Sequence, residues 1–106
     1  MITIRSLSGF NKRLEAAENK LIVLEFFATW STPCKDINEA VKALARQNAS
    51  KAEVIQINVD KFEDLVDTYK VRSKPTFVFI KNKRNIYRVL GADEEKLKHT
   101  LSELCK

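Results

Sequence analysis

Residues 21–27 read Leu-Ile-Val-Leu-Glu-Phe-Phe, a nearly unbroken apolar run of strand length. A half-exposed strand alternates apolar and polar residues. A continuous run has to be covered on both faces, as a central strand of a helix-flanked sheet is. Polarity then changes abruptly through Ala28 to Thr32, and Pro33 follows. Proline suits the first turn of a helix, where its missing N–H costs nothing. A buried strand handing over directly to a helix points to an α/β fold.

The remaining sequence repeats this alternation. Ile2-Thr3-Ile4 is a short strand candidate, and Ser8 can cap a helix whose apolar face is Phe10, Leu14 and Ala17. After Pro33, Ile37, Val41, Leu44 and Ala45 recur at helical spacing. Val54 to Asp60 is β-branched and reads as a strand, and Phe62, Leu65, Val66 and Tyr69 mark a short helix. Thr76–Ile80 and Ile86–Leu90 read as a hairpin around Lys81–Asn85, and Asp93 can cap a last helix presenting Leu97, Leu101 and Leu104. The expected order is β-α-β-α-β-α-β-β-α, one domain over residues 1–106. Its mixed sheet of about five strands carries about four helices, with the last two strands antiparallel.

With 106 residues, a chain of this size buries roughly two-thirds of its unfolded surface, enough for a core without metal or disulfides. Two cysteines and one histidine offer no metal-ligand spacing, and no cofactor is expected. No stretch has the roughly 20 apolar residues of a membrane span, and the N-terminus lacks the pattern of a secretory signal. The expected location is therefore cytoplasmic or nuclear, where thiols stay reduced.

The net charge of +5 is unevenly spread. From Lys70 to Arg88 there are seven basic residues (Lys70, Arg72, Lys74, Lys81, Lys83, Arg84 and Arg88) and no acid. Such a stretch is either an ordinary solvated surface or a contact for an anionic or nucleic-acid-associated partner. No nucleic-acid-binding motif accompanies it.

Chemistry concentrates at Trp30-Ser-Thr-Pro-Cys-Lys35, where strand becomes helix. Free backbone N–H groups and the positive helix end stabilise an anion there, so a cysteine at the helix start is pushed toward thiolate. A second cysteine three residues on lies one turn inside and can resolve a mixed disulfide. This chain has Cys34 in the inner place and Ser31 in the outer one.

On these residues the chain resembles the thioredoxin family from about Leu7 to Leu104. The run Leu21–Trp30 is similar to the strand leading to the family's Trp-Cys-Gly-Pro-Cys-Lys motif. Val59-Asp60 resembles the end of its third strand, Val71–Ile80 its cis-proline segment, and Gly91-Ala92 the turn before its last helix. The basic hairpin, Asp60-Lys-Phe-Glu63 and Gly91-Ala-Asp-Glu94 are similar to the deadhead-type germline thioredoxins. The resemblance implies a thioredoxin fold and protein disulfide exchange. Position 31 would attack, Cys34 would resolve, and Glu25 would be the buried acid relaying protons to Cys34, its pKa raised by burial. It also implies a cis Lys74–Pro75 bond and a groove for extended protein substrates formed by Trp30, Thr32, Pro33, Lys74, Pro75 and Gly91. Lys74, Arg72 and Lys35 would ring that groove with positive charge. Thioredoxin reductase would be the electron donor for a Ser31→Cys form.

The departures carry equal weight. Serine at 31 is a poor attacker of disulfides and needs a base, and His99, the only histidine, lies in the last helix. Ser31 reads more simply as a helix cap. Thr32, Glu25 and Lys74 also depart from the family pattern, which favours natural specialisation. Serine for cysteine is equally a common deliberate replacement, and the balance tips to a specialised reductase carrying a replaced residue at 31. Each site residue has a plainer reading. Glu25 could be a sheet-edge carboxylate reaching water, Trp30 a partly buried core aromatic, and Asp60 a cap of the following helix rather than a neighbour of the active-site turn. Cys34 is expected to be partly buried, with a higher pKa than a cysteine at position 31 would have, and Cys105 to be an exposed or half-buried free thiol. Three functions follow: a thioredoxin-type reductase disabled at Ser31, a redox-inactive binding module for extended peptides or a chromatin or nucleic-acid-associated partner, and a single-thiol enzyme using Cys34 on glutathione adducts.

Overall fold

The computed structural model describes all of residues 1–106. The elements are β1 (Ile2–Thr3), α1 (Leu7–Ala16), β2 (Leu21–Phe27), α2 (Thr32–Gln47), β3 (Ala52–Asn58), α3 (Glu63–Thr68), β4 (Thr76–Lys81), β5 (Arg84–Leu90) and α4 (Glu94–Leu104). They form one five-stranded sheet in the order β1-β3-β2-β4-β5. β3 is parallel to both β1 and β2, while β4 runs antiparallel to β2 and to β5.

The apolar run is the middle strand, buried on both faces. Ile22, Leu24 and Phe26 face one core with Ile55, Ile57, Val78 and Ile80, under Phe10 of α1 and Leu65 of α3. Leu21 and Val23 face the other core with Val54, Phe77, Phe79 and Val89, under Ile37, Val41 and Leu44 of α2 and Leu97 and Leu101 of α4. Each fully buried side chain of this size stabilises the fold by about 1.5–3 kcal/mol, so every residue but one between 21 and 26 has an apolar reason to be there. The exception is Glu25, on the α2 face of the same strand and 1% exposed.

Several local expectations need correction. α1 is capped by Ser6, not Ser8, and the Ser6 hydroxyl accepts from the Gly9 N–H at 3.0 Å. A Cβ at Gly9 would stand 3.2 Å from that hydroxyl oxygen, so the missing side chain gives the cap its room. β3 begins and ends two residues before the expected span, leaving Val59 and Asp60 in the following turn. The hairpin loop is also tighter than expected. Lys81 pairs with Arg84 across a two-residue turn, Asn82-Lys83, whose φ values are 51° and 65°. Positive φ at both central residues gives a type I′ turn, whose twist suits a hairpin. Ile86 is left over between the pairs Phe79–Tyr87 and Ile80–Asn85, a bulge in the edge strand. Cys105 is not exposed but buried at the end of the α2–α4 core, where burial raises its thiol pKa against the opposing pull of Lys51 and Lys81.

Candidate active site

β2 and β3 run the same way, so their C-terminal ends share one pole of the sheet. β4 runs oppositely and brings its first residues to that pole. The turn 28–31, Asp60 and the segment before Thr76 therefore meet there. Ser31 is the N-cap of α2: its Oγ accepts from the Cys34 N–H at 3.3 Å, and its carbonyl accepts from Lys35 N at 3.1 Å. Pro33 lies in the first turn. Ser31 and Cys34 are both 6% exposed, so Cys34 is more deeply enclosed than its position one turn inside the helix suggested. Thr32 and Pro33 are exposed beside them.

Trp30 is 63% exposed, which rules out a core role. Its indole N–H donates to Asp60 Oδ2 at 2.9 Å, while the Asp60 N–H donates to Asn58 Oδ1 at 2.9 Å. Asp60 thus reaches the turn before α2. It does not cap α3, whose N-cap Phe62 makes no side-chain bond. On the other side of the indole, Lys74 Nζ sits 5.4 Å from the ring centroid, within cation–π range. The Lys74–Pro75 bond is cis. The Thr76 hydroxyl lies 2.7 Å from the Ser73 carbonyl and ties that bend, and the Gly91 N–H donates to the Pro75 carbonyl at 2.8 Å. Gly91 has φ +80°, a conformation favouring glycine, and open space where a Cβ would stand. The structure therefore brings Trp30, Ser31, Thr32, Pro33 and Lys74 together with the Pro75–Gly91 contact.

Glu25 is not a sheet-edge group, because β2 is paired on both sides. Its carboxyl is raised above the ordinary value of 4.5 by burial, partly offset by a 2.9 Å hydrogen bond from Gln56 Nε2 to Oε1. A cavity of about 390 Å³ lies under the start of α2, and Glu25, Thr29, Cys34, Lys35, Lys42 and Gln56 all line it. Sequence reasoning missed Gln56 and Lys42. The available signal was a polar side chain in the middle of β-branched β3, interpretable only once its register against Glu25 is known. A larger cavity of about 510 Å³, at the opposite pole beside Cys105 and Lys81, is remote from this chemistry.

The basic stretch does not form one patch. Arg88 is half-buried, and its guanidinium donates to the Tyr69 and Lys70 carbonyls, closing the end of α3. Lys74 lies at the active pole, and Lys81, Lys83 and Arg84 lie at the far end of β4, roughly 20 Å away at strand rise. Lys70 and Arg72 are exposed in the loop between α3 and β4. Of the cations expected around the groove, Lys74 covers Trp30, while Lys35 lines the cavity behind Cys34.

A cis-proline bend at the same pole as the N-terminus of a helix with a buried inner cysteine, on a sheet of this order, marks a thioredoxin-like fold. The chain belongs to the thioredoxin family, whose profile it matches over residues 2–103. It is 52% identical to Thioredoxin-1 of Drosophila yakuba, covering all of this chain and 99% of that one. It is 36% identical to human thioredoxin over 101 residues, 95% of each chain. The crystal structure of the germline-specific thioredoxin Deadhead (Thioredoxin-1) of Drosophila melanogaster superposes with a TM-score of 0.95 at 51% identity, covering 98% of this chain and 99% of that one.

Proposed function

We propose that the chain is a thioredoxin-type protein disulfide oxidoreductase scaffold in which Ser31 occupies the attacking position, so that the dithiol cycle is disabled. One observation carries this reading: residue 31 and Cys34 share the first turn of α2, and only one of them is a thiol. A dithiol reductase needs two sulfurs. The first thiolate attacks a substrate disulfide and releases one substrate thiolate. The second then attacks the mixed disulfide, releases the other, and leaves the enzyme oxidised. Cys34 alone can form a mixed disulfide with a substrate or with glutathione, and nothing within the turn resolves it. Ser31 has no histidine beside it to act as base, since His99, the only one, lies on α4. The hydroxyl instead caps the helix.

In the complete cycle Glu25 takes and returns the Cys34 proton. Trp30, Thr32, Pro33, Lys74, Pro75 and Gly91 receive an extended substrate segment, whose backbone pairs beside the proline as an added strand. Lys74 with Arg72 suits acidic segments or proteins held on nucleic acid. A germline setting is supported by the likeness to the germline-specific relative, and the exposed cations add chromatin-associated proteins, met in the cytoplasm or nucleus, to the proposed substrates. The test is turnover of a disulfide-bonded protein with thioredoxin reductase and NADPH: this chain gives none, and sustained turnover overturns the reading.

A second reading, a redox-inactive module that grips extended peptides, is favoured by three contacts at this pole. The Trp30–Asp60 bond, the Lys74–Trp30 contact and the Pro75–Gly91 bond need no thiol. Peptide capture unchanged in Cys34→Ala supports it, and capture lost in that variant opposes it.

A further inference from the structure

The residues Thr3, Gln56, Glu25, Phe77 and Val89 form a single row across all five strands, each paired with the next. All project to the α2–α4 side, and the row grades from exposed Thr3 through half-buried Gln56 to fully buried Phe77 and Val89. Its polar half is one hydrogen-bonded chain: Thr3 Oγ1 donates to Gln56 Oε1 at 3.1 Å, and Gln56 Nε2 donates to Glu25 Oε1 at 2.9 Å. From this we infer that Gln56, oriented by Thr3, is the positioning residue that aims the Glu25 carboxyl. It occupies Oε1 as an acceptor and leaves Oε2 as the atom that exchanges a proton with Cys34. The inference rests on the proposed role of Glu25 as the acid serving Cys34.

The direction of the Gln56 amide follows from what each arrangement can satisfy. With its NH₂ toward Glu25, it bonds the carboxyl in both protonation states. With its carbonyl toward Glu25, it bonds only the protonated acid and repels the carboxylate. The Thr3 hydroxyl, able to donate or accept, completes the first arrangement by donating to Oε1. An oxygen already accepting from an amide is the poorer place for a proton, so the acid proton sits on Oε2. Oε2 has no protein partner, and yet no buried side-chain polar atom in the molecule is sealed away without one. It therefore opens into the cavity that Cys34 also lines. A cavity of that size with polar walls admits water. The exchange balances as Cys34 Sγ–H plus Glu25 carboxylate giving Cys34 thiolate plus Glu25 carboxylic acid.

The charged groups facing Glu25 are few. Lys35 and Lys42 of α2 line the cavity, and Cys34 is its one other titratable neighbour there. β3 and β4 present Gln56 and Phe77, β1 presents Thr3, and no charged residue of α4 borders the cavity.

The test is a pH titration of the Glu25 carboxyl carbon by ¹³C NMR in this chain and in Gln56→Leu, Thr3→Val and Glu25→Gln, with the Cys34 Cβ signal followed in parallel. The expected result is a Glu25 inflection that moves to higher pH in Gln56→Leu and by a smaller step in Thr3→Val. The Cys34 signal should show the same inflection in this chain and lose it in Glu25→Gln. An unmoved Glu25 inflection in both Gln56→Leu and Thr3→Val overturns the positioning role, whatever Cys34 does. A Glu25 inflection that moves while Cys34 stays blind to it, and to Glu25→Gln, overturns the role of Glu25 toward Cys34 instead. Thr3 is exposed, so its variant keeps the fold and reports even where Gln56→Leu does not.

Discussion

At position 31 a hydroxyl caps α2, and in the proposed function it stands where the nucleophile would be. Its Oγ holds the Cys34 N–H, one of the donors that a helix start leaves without a partner. Ser31→Ala should lower stability by about 1 kcal/mol in chemical denaturation, the usual loss on removing a serine cap. Glu25 behaves differently, because its contribution depends on pH. Its folded pKa lies above its ordinary value, so the neutral acid is the form the fold prefers. Stability from this group is complete below about 4.5, its ordinary value, and is lost as pH rises through the folded value. Glu25→Gln should therefore raise the melting temperature at pH 8, with the gain shrinking as pH falls toward 4.5. A gain that is constant with pH would show that the carboxyl is not titrating in the folded protein. Glu25 was legible as an anomaly because a carboxyl in an apolar run has to be explained. Its partner Gln56 was not, because its meaning lies in a register thirty-one residues away.

Among the elements, β2 and its handover to α2 were readable because burial on both faces forces a composition that nothing else requires. The hairpin was readable as a hairpin but not in its loop. Asn82 suits positive φ, while Lys83 does not advertise it, and an Asn-Lys turn lacks the glycine that marks such loops. The same mismatch yields a prediction. Lys83→Gly relieves the left-handed strain of a side chain at φ 65° and should stabilise the fold by about 1 kcal/mol, read as a higher denaturation midpoint. The α1 cap was misplaced for a related reason. Ser6 and Ser8 are both cap residues by type, and the space left by Gly9 favours Ser6. In the core, Leu24→Ala on the middle strand should cost about 2–5 kcal/mol, since its site is sealed by neighbours on both strands and helices.

Over the whole molecule, topology sorts what the sequence presented as continuous. Seven basic residues between 70 and 88 are distributed between two poles, and Arg88 is spent on holding the end of α3. Of the seven, Arg72 lies beside Lys70 and Asp67 at the end of α3, and only Lys74 is in contact with Trp30. An acidic extended peptide should bind there better than its charge-reversed counterpart. The difference should fade between 0.1 M and 1 M salt, as the screening length drops from about 10 Å to about 3 Å. The same topology gathers the ends of β2 and β3 and the start of β4 around α2, and the proposed function makes residue 31 the decisive one there. The direct test is to place Ser31→Cys beside this chain in the reduction of a disulfide-bonded protein by NADPH and thioredoxin reductase. The account predicts that the variant turns over and this chain stays at background, a gap on the order of 1000-fold or more, as for loss of a nucleophile in a unit that acts together. Equal silence from both would contradict it, because the scaffold around Glu25, Cys34 and Pro75 would then have left disulfide chemistry altogether.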